Sequence, residues 1–335
     1  MDGMATVQID GTAKNAEMAF DLIRARLGKL FDLFDVEGVT EVNYNGPDDA
    51  WVTKFGRREQ ADVSGISEIT AASSVRELAS SMGQEASASN STAIVDAKMP
   101  GYRFSAVLSP IASKGTALSI RKHSPRVLSL QNYIDQKVIS IEVADYLSGR
   151  VKEGWNVLIG GGTDSGKTTF LNALSREIPG DERVGTIEDT RELSLIVKNW
   201  LAFETNSPRG VTATLCLKAL MRQSIDRIIC GELRDGAAAD FLSSANTGHH
   251  GCMATLHCNS AAMGLERLED LCMQAEGAWP LNAIRRNIGR TIQLVAHFKK
   301  IDGKRRLNEL VEINGIDNET NSYLLNQIYQ FKEFT

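Results

Sequence analysis

Residues Trp155 to Leu174 read W-N-V-L-I-G-G-G-T-D-S-G-K-T-T-F-L-N-A-L. An apolar run (Val157, Leu158, Ile159) breaks into Gly160, Gly161 and Gly162; Gly166, Lys167 and Thr168 follow, and Phe170, Leu171 and Leu174 then recur at helical spacing. The order is strand, G-x-x-x-x-G-K-T, helix, which is the signature of a phosphate-binding loop. Glycines let successive backbone N–H groups turn inward around phosphate oxygens. The helix N-terminus adds partial positive charge. On this reading Gly161, Gly162, Thr163, Asp164, Ser165, Gly166, Lys167, Thr168 and Thr169 form the nucleotide cradle. Lys167 reaches the β- and γ-phosphates, and the Thr168 hydroxyl ligates Mg²⁺. The plain alternative, a Gly-rich turn before an ordinary helix, is disfavoured by the full match in its strand–helix context. Asp164 is the anomaly: it tolerates left-handed backbone angles, but its carboxylate faces a polyanion unless it points away.

The chain has 335 residues, 42% hydrophobic and 24% charged, with net charge −5. That size suggests two domains of ordinary globular composition. The charge balance gives no global pull toward nucleic acid. Cys216, Cys230, Cys252, Cys258 and Cys272 form no C-x-x-C pair, which suits buried thiols in a reducing compartment better than a disulfide or zinc framework. No apolar run is long enough to span a membrane. The N-terminus lacks the basic and apolar regions of a signal peptide, so a cytoplasmic chain with any membrane role peripheral is expected.

Apolar spacing predicts a helix over 14–35, two strands around the turn Asn45-Gly46-Pro47-Asp48, a helix over 64–83, and strands at 92–97, 102–108 and 116–121. That order suits a small α+β domain over 1–122. His123-Ser124-Pro125-Arg126 reads as a break opening a linker over 123–140, and Leu130 to Arg150 looks helical. From 141 to 335 strands and helices alternate, implying an α/β domain with a mostly parallel, doubly wound sheet and its ligand at the carboxyl ends of the strands.

Three further segments fall at such strand ends. Thr186-Ile187-Glu188-Asp189-Thr190-Arg191-Glu192-Leu193 offers three carboxylates that could orient water or Mg²⁺. A solvated acidic turn is the bland alternative. Asp226 to Arg234 (D-R-I-I-C-G-E-L-R) has the strand and terminal carboxylate of a Walker B element, with Gly231 where many NTPases carry Asp. Glu232 is therefore assigned to polarising the attacking water and helping to hold Mg²⁺. Thr247 to Ser260 holds three histidines, His249, His250 and His257, at no standard zinc spacing. His257 reads better as a γ-phosphate sensor than as a metal ligand.

The ordered set Lys167, Glu192, Glu232, His257 resembles the traffic ATPases of the type II/type IV secretion superfamily, in particular the conjugation and type IV secretion branch. The resemblance rests on four motifs between residues 155 and 260 and weakly covers almost the whole chain; Asp164 replaces the family's usual Gly. It implies a RecA-like core preceded by a PAS-like N-terminal domain, ATP and Mg²⁺ as ligands, and Glu192 as the Asp-box carboxylate. It makes Lys167, Glu192, Glu232 and His257 catalytic and Thr168, Glu192 and Glu232 the Mg²⁺ side chains. It places Arg103 and Arg121 against nucleotide phosphates, with Arg209, Arg222 and Arg234 as candidates for contacts across a subunit boundary. It further implies a ring of six subunits hinged near 123–130, peripheral at the inner membrane and docked on membrane components of a secretion apparatus. No direct sequence-specific contact with nucleic acid is expected. A nucleic-acid motor on the same core would want a basic channel, and the one dense cluster (Lys299, Lys300, Lys304, Arg305, Arg306) reads as a solvated hairpin tip. A type II secretion or pilus motor of the same superfamily is the other alternative. A GTPase lacks its N-K-x-D segment here, and a scaffold that binds ATP poorly because of Asp164 is the non-enzymatic alternative.

Overall fold

The computed structural model describes residues 18, 20–81, 85–87, 91–99, 101–122, 128–206, 210–317 and 319–332. The chain divides into two compact units, Met1–Ser124 and Pro125–Thr335. In the first, residues 20–26 and α1 (Gly28–Asp32) are helical and bury Phe20, Ile23, Leu27, Leu30 and Phe31, the three- and four-residue spacing read from the sequence. Residues 14–17 of that expected helix lie outside the described residues. Strands β1 (Val39–Tyr44), β2 (Ala50–Lys54), β3 (Arg57–Ala61), β4 (Ile94–Met99), β5 (Tyr102–Val107) and β6 (Ala117–Lys122) form one antiparallel sheet in the order β3-β2-β1-β6-β5-β4. Helix α2 (Glu68–Ser81) packs Val75, Leu78 and Ala79 into the same core. Sequence pattern missed β3, because its residues Arg57-Arg58-Glu59-Gln60 are all exposed on an edge strand and show no apolar alternation.

The second unit opens with α3 (Leu130–Asp135) and α4 (Ile141–Lys152), two helices where the pattern suggested one. The break is local: Ser140 caps α4 through its hydroxyl, and Lys137 takes a left-handed φ of 54°. Of the segment read as a linker, 123–127 lie outside the described residues. Further along it, α3 buries Leu130 and Tyr133, the latter 5.3 Å from the Phe170 ring.

The sheet of this unit has eight strands: β7 (Val157–Gly161), β8 (Arg183–Glu188), β9 (Asn199–Glu204), β10 (Arg227–Cys230), β11 (Met253–Leu256), β12 (Leu294–Ile301), β13 (Lys304–Ile316) and β14 (Tyr323–Gln330). Their order is β14-β13-β12-β7-β11-β10-β8-β9, parallel from β12 to β9 and antiparallel across β12-β13-β14. Central β7, β10 and β11 are buried at every residue, as parallel strands covered on both faces must be. Their side chains alternate between two cores. Val157, Ile159 and Ile229 pack with α3, α4 and α5 (Lys167–Ser175). Leu158, Ile228 and Val295 pack with α6 (Ala213–Leu220), α7 (Ala237–Asn246), α8 (Ala261–Met273) and α9 (Leu281–Thr291). Helix α9 was not expected, although Leu281, Ile284 and Ile288 stand at spacings of three and four with polar residues on the other faces. Among the described residues no helix is long and apolar enough to cross a membrane.

Candidate active site

The loop between β7 and α5 turns on two glycines in conformations that other residues rarely adopt, Gly161 and Gly166. At Gly161 (φ 152°) a Cβ would stand 2.4 Å from the Phe298 carbonyl oxygen on β12 and 2.6 Å from Ser165 Oγ. Gly166 caps α5 in the left-handed region at φ 97° and offers the first turn no side-chain acceptor. Helices α4 and α8, in contrast, start under Ser140 and Ser260, which accept the amides of Val143 at 3.3 Å and Met263 at 3.2 Å. Ser165 Oγ is buried with no hydrogen-bond partner among the described residues. Lys167 is buried, and its Nζ donates to the carbonyls of Gly161 and Gly162, 2.9 Å each. Helix amides with no side-chain cap, an orphaned hydroxyl and an ammonium around a glycine-built turn make chemistry suited to a polyphosphate.

The acidic segment after β8 is held by side chains, because it has no regular structure to satisfy its amides. Glu188 is buried, and its Oε1 accepts from Glu192 N at 2.8 Å and Leu193 N at 2.9 Å. Burial outweighs those two bonds and pushes its carboxyl up to about 7. Asn172 on α5 clamps the same segment, donating to the Glu192 carbonyl at 3.0 Å and accepting from Ser194 N at 2.8 Å. Sequence reasoning missed both tethers. A polar Asn in the buried face of α5 was the available signal.

The ends of β10 and β11 complete the edge. Leu233 N donates to the Thr255 carbonyl at 2.8 Å and Gly231 N to that of Ile187 at 2.8 Å, fixing Glu232 between them. Glu232 Oε1 lies 3.4 Å from His257 Nε2, and His257 Nδ1 lies 3.5 Å from Lys167 Nζ. Glu232 Oε2 accepts from Arg234 at 2.9 Å, and the other guanidinium nitrogen lies 2.7 Å from Asp189 Oδ2. One continuous network therefore runs Lys167, His257, Glu232, Arg234, Asp189 across four strand ends. The His257 side chain is 46% exposed; partial desolvation first, then the Lys167 charge, lowers its pKa from the ordinary value against the pull of Glu232.

The sequence-derived residues thus divide. Lys167 and Glu232 come together through His257, which each of them approaches directly. Glu192 is half-buried, its charge acting on both Arg234 and Glu188. Thr168 and Thr169 lie half-buried in the first turn of α5, and Gly162 and Thr163 are exposed at the loop. Arg103 and Arg121 belong to the first unit, where they are cross-strand partners on β5 and β6. Arg222 is exposed after α6, and Arg209 lies outside the described residues. Arg234 is engaged within its own chain. The basic cluster lies on the exposed β12–β13 hairpin, as the sequence reading has it; in addition Arg305 and Lys300 both pair with the Asp164 carboxylate, and Arg306 donates to the Lys137 carbonyl at 2.7 Å. Its side chains are tied back onto the unit that carries them. Among the described residues no group of three or more His, Cys, Asp or Glu could hold a metal ion by itself.

The family described as "Type II/IV secretion system protein" matches residues 27–315. The conjugal transfer protein TrbB of Rhizobium radiobacter is 35% identical over 245 residues, 72% of this chain and 73% of its own length. The type IV secretion system protein PtlH of Bordetella pertussis is 33% identical over 250 residues, 66% of this chain and 74% of its own. The solved structure of the Legionella pneumophila ATPase DotB superposes with a TM-score of 0.55 at 17% identity, covering 90% of this chain and 81% of that one, a likeness of fold. The chain belongs to the type II/IV secretion system protein family, in its conjugation and type IV secretion branch.

Proposed function

We propose that this chain is a ring-forming motor, a homo-hexamer, that hydrolyses ATP to power pilus assembly or substrate transfer in a conjugation or type IV secretion apparatus. The observation that carries the reading is the Lys167–His257–Glu232 chain of contacts, which joins the phosphate-type loop after β7, through His257 at the end of β11, to the carboxylate at the end of β10. On this reading Lys167 and the α5 amides bind the β- and γ-phosphates, and Glu232 orients and deprotonates the attacking water. His257 senses the γ-phosphate. Thr168 would hold Mg²⁺ together with phosphate oxygens and water, with Glu192 and Glu232 acting through those waters, an arrangement in keeping with magnesium's preference for retained waters. When bound, Mg²⁺ would supply positive charge to the transferred phosphoryl group.

The RecA-like and doubly wound reading of the second unit is supported by its parallel strands with helices packed into two cores. The PAS-like reading of the first is supported by its antiparallel sheet with helices packed into one core against it. Arg103 and Arg121 are proposed to contact nucleotide phosphates, and the chain to work at the cytoplasmic face of the inner membrane against membrane components of the apparatus. The test is a paired assay of hydrolysis and nucleotide binding. Lys167→Ala should lower turnover roughly 10²–10³-fold or more, and Glu232→Gln should keep binding while lowering turnover roughly 10²–10⁴-fold. Unchanged turnover in either variant would refute the assigned site. Particle mass measured with an ATP analogue tests the ring.

A further inference from the structure

Asp164 places a carboxylate in a loop otherwise made of amides, a hydroxyl and an ammonium. Its backbone is left-handed, at φ 58°. Both carboxylate oxygens are directed at the β12–β13 hairpin: Oδ1 accepts from Arg305 Nη2, and Oδ2 lies 3.6 Å from Lys300 Nζ. Arg305 Nε also donates to the Asp164 carbonyl at 3.1 Å, so one guanidinium grips the residue by main chain and side chain from 141 positions away. The grip follows from topology. Strand β12 runs parallel to β7 with Phe298 opposite Gly161, and Lys300 and Arg305 face each other across the hairpin. This brings two cations to the outer side of the loop.

As a stabiliser of the fold the cluster is weak, because all three side chains are a third to a half exposed (36% for Asp164, 34% for Lys300, 51% for Arg305) and such pairs contribute little. Its larger effect falls on a polyanion held by the same loop, which an uncompensated carboxylate would repel. We propose that Arg305, with Lys300 beside it, is a positioning residue for nucleotide binding. It turns Asp164 toward the hairpin and offsets its charge, so that an acidic phosphate loop still accepts a nucleoside triphosphate. This rests on the loop binding the triphosphate, as argued above.

The test is a double-mutant cycle in which a fluorescent ATP analogue with Mg²⁺ is titrated into the full-length protein, Arg305→Ala, Asp164→Gly and the double variant. Arg305→Ala should weaken binding on the order of tenfold, the scale of a few charge repulsions near a protein surface. In the Asp164→Gly background the same change should cost less than about twofold. Raising the salt concentration should shrink the Arg305→Ala deficit, and Arg305→Lys should restore most of the affinity while Arg305→Gln should not. An equal loss in both backgrounds would overturn the proposal. Lys167→Ala separates this failure from the broader one. If Lys167→Ala loses binding while the cycle is flat, only the role of Arg305 falls. If the unaltered protein binds no better than Lys167→Ala, the phosphate-loop reading falls with it.

Discussion

His257 reaches Glu232 with Nε2 at 3.4 Å from Oε1, while its other ring nitrogen faces the Lys167 ammonium at 3.5 Å. An ammonium can only donate, so Nδ1 is the acceptor and Nε2–H points at the carboxylate. This tautomer needs a neutral ring, which partial desolvation together with the Lys167 charge favours by lowering the pKa, although the side chain is 46% exposed. The ring is thus poised to register a charge change on either side.

His257→Gln keeps an amide that can donate or accept but cannot titrate. Turnover should fall roughly 10²-fold, within the range for a removed transition-state donor, with nucleotide affinity changed only a few-fold. Because the pKa of the histidine is lowered, the unaltered enzyme should keep its activity down through pH 6.5 and lose it only at lower pH as the ring gains a proton. The variant should lack that acid limb. An identical acid limb in both proteins, read from pH profiles of kcat, would show that His257 is not the titrating group.

Arg234 binds carboxylates of two motifs, Glu232 and Asp189. Removing it leaves Glu232 without its charge-assisted partner and frees the acidic segment from β10. Arg234→Ala should lower kcat by roughly tenfold or more. Arg234→Lys should recover little, since a point charge cannot reach both carboxylates as a planar fork does. Because both contacts lie within one chain, the loss should persist in dilute protein where subunits dissociate. A defect confined to the assembled form would instead assign Arg234 to a neighbouring subunit.

The motifs were legible because each is a local grammar: an apolar strand, a turn chemistry, then a periodic helix. The tethers between motifs were not. Asn172 meets Glu192 across 20 positions and Arg305 meets Asp164 across 141, and neither distance leaves a periodic trace. Strand β3 escaped for a related reason, since an edge strand exposed along its length carries no burial period; helix α9 does carry one in Leu281, Ile284 and Ile288, so its signal was present in the sequence. Glu188 was visible only as one carboxylate of three. What sets it apart is burial, a property of the folded chain.

That burial makes Glu188 a source of pH-dependent stability. Its carboxyl titrates near 7 in the folded chain and at the ordinary 4.5 when exposed. Between those values the unfolded chain has released its proton and the folded chain has kept it, so stability declines as pH rises through that window. Glu188→Gln retains the acceptor for the Glu192 and Leu193 amides and has no proton to lose. Thermal unfolding should show little difference between the two proteins near pH 5. By about pH 8 the variant should be more stable by up to about 3 kcal/mol. A constant difference across that range would mean the carboxyl is ionised throughout.

Gly161 closes β7 where the neighbouring backbone leaves no room. Its φ of 152° lies outside the regions open to other residues, and a Cβ there would press within 2.4 Å of the Phe298 carbonyl on the paired strand. The obstacle is main chain, which cannot rotate aside as a side chain would. Gly161→Ala should therefore cost about 2 kcal/mol or more in unfolding free energy and should also lower nucleotide affinity by shifting the loop. The adjacent Gly162 meets nothing within 4 Å of an added Cβ. Gly162→Ala should leave the melting temperature within about a degree of the unaltered protein. Equal melting temperatures for the two alanine variants would show that the β7–β12 contact is not tight enough to demand glycine.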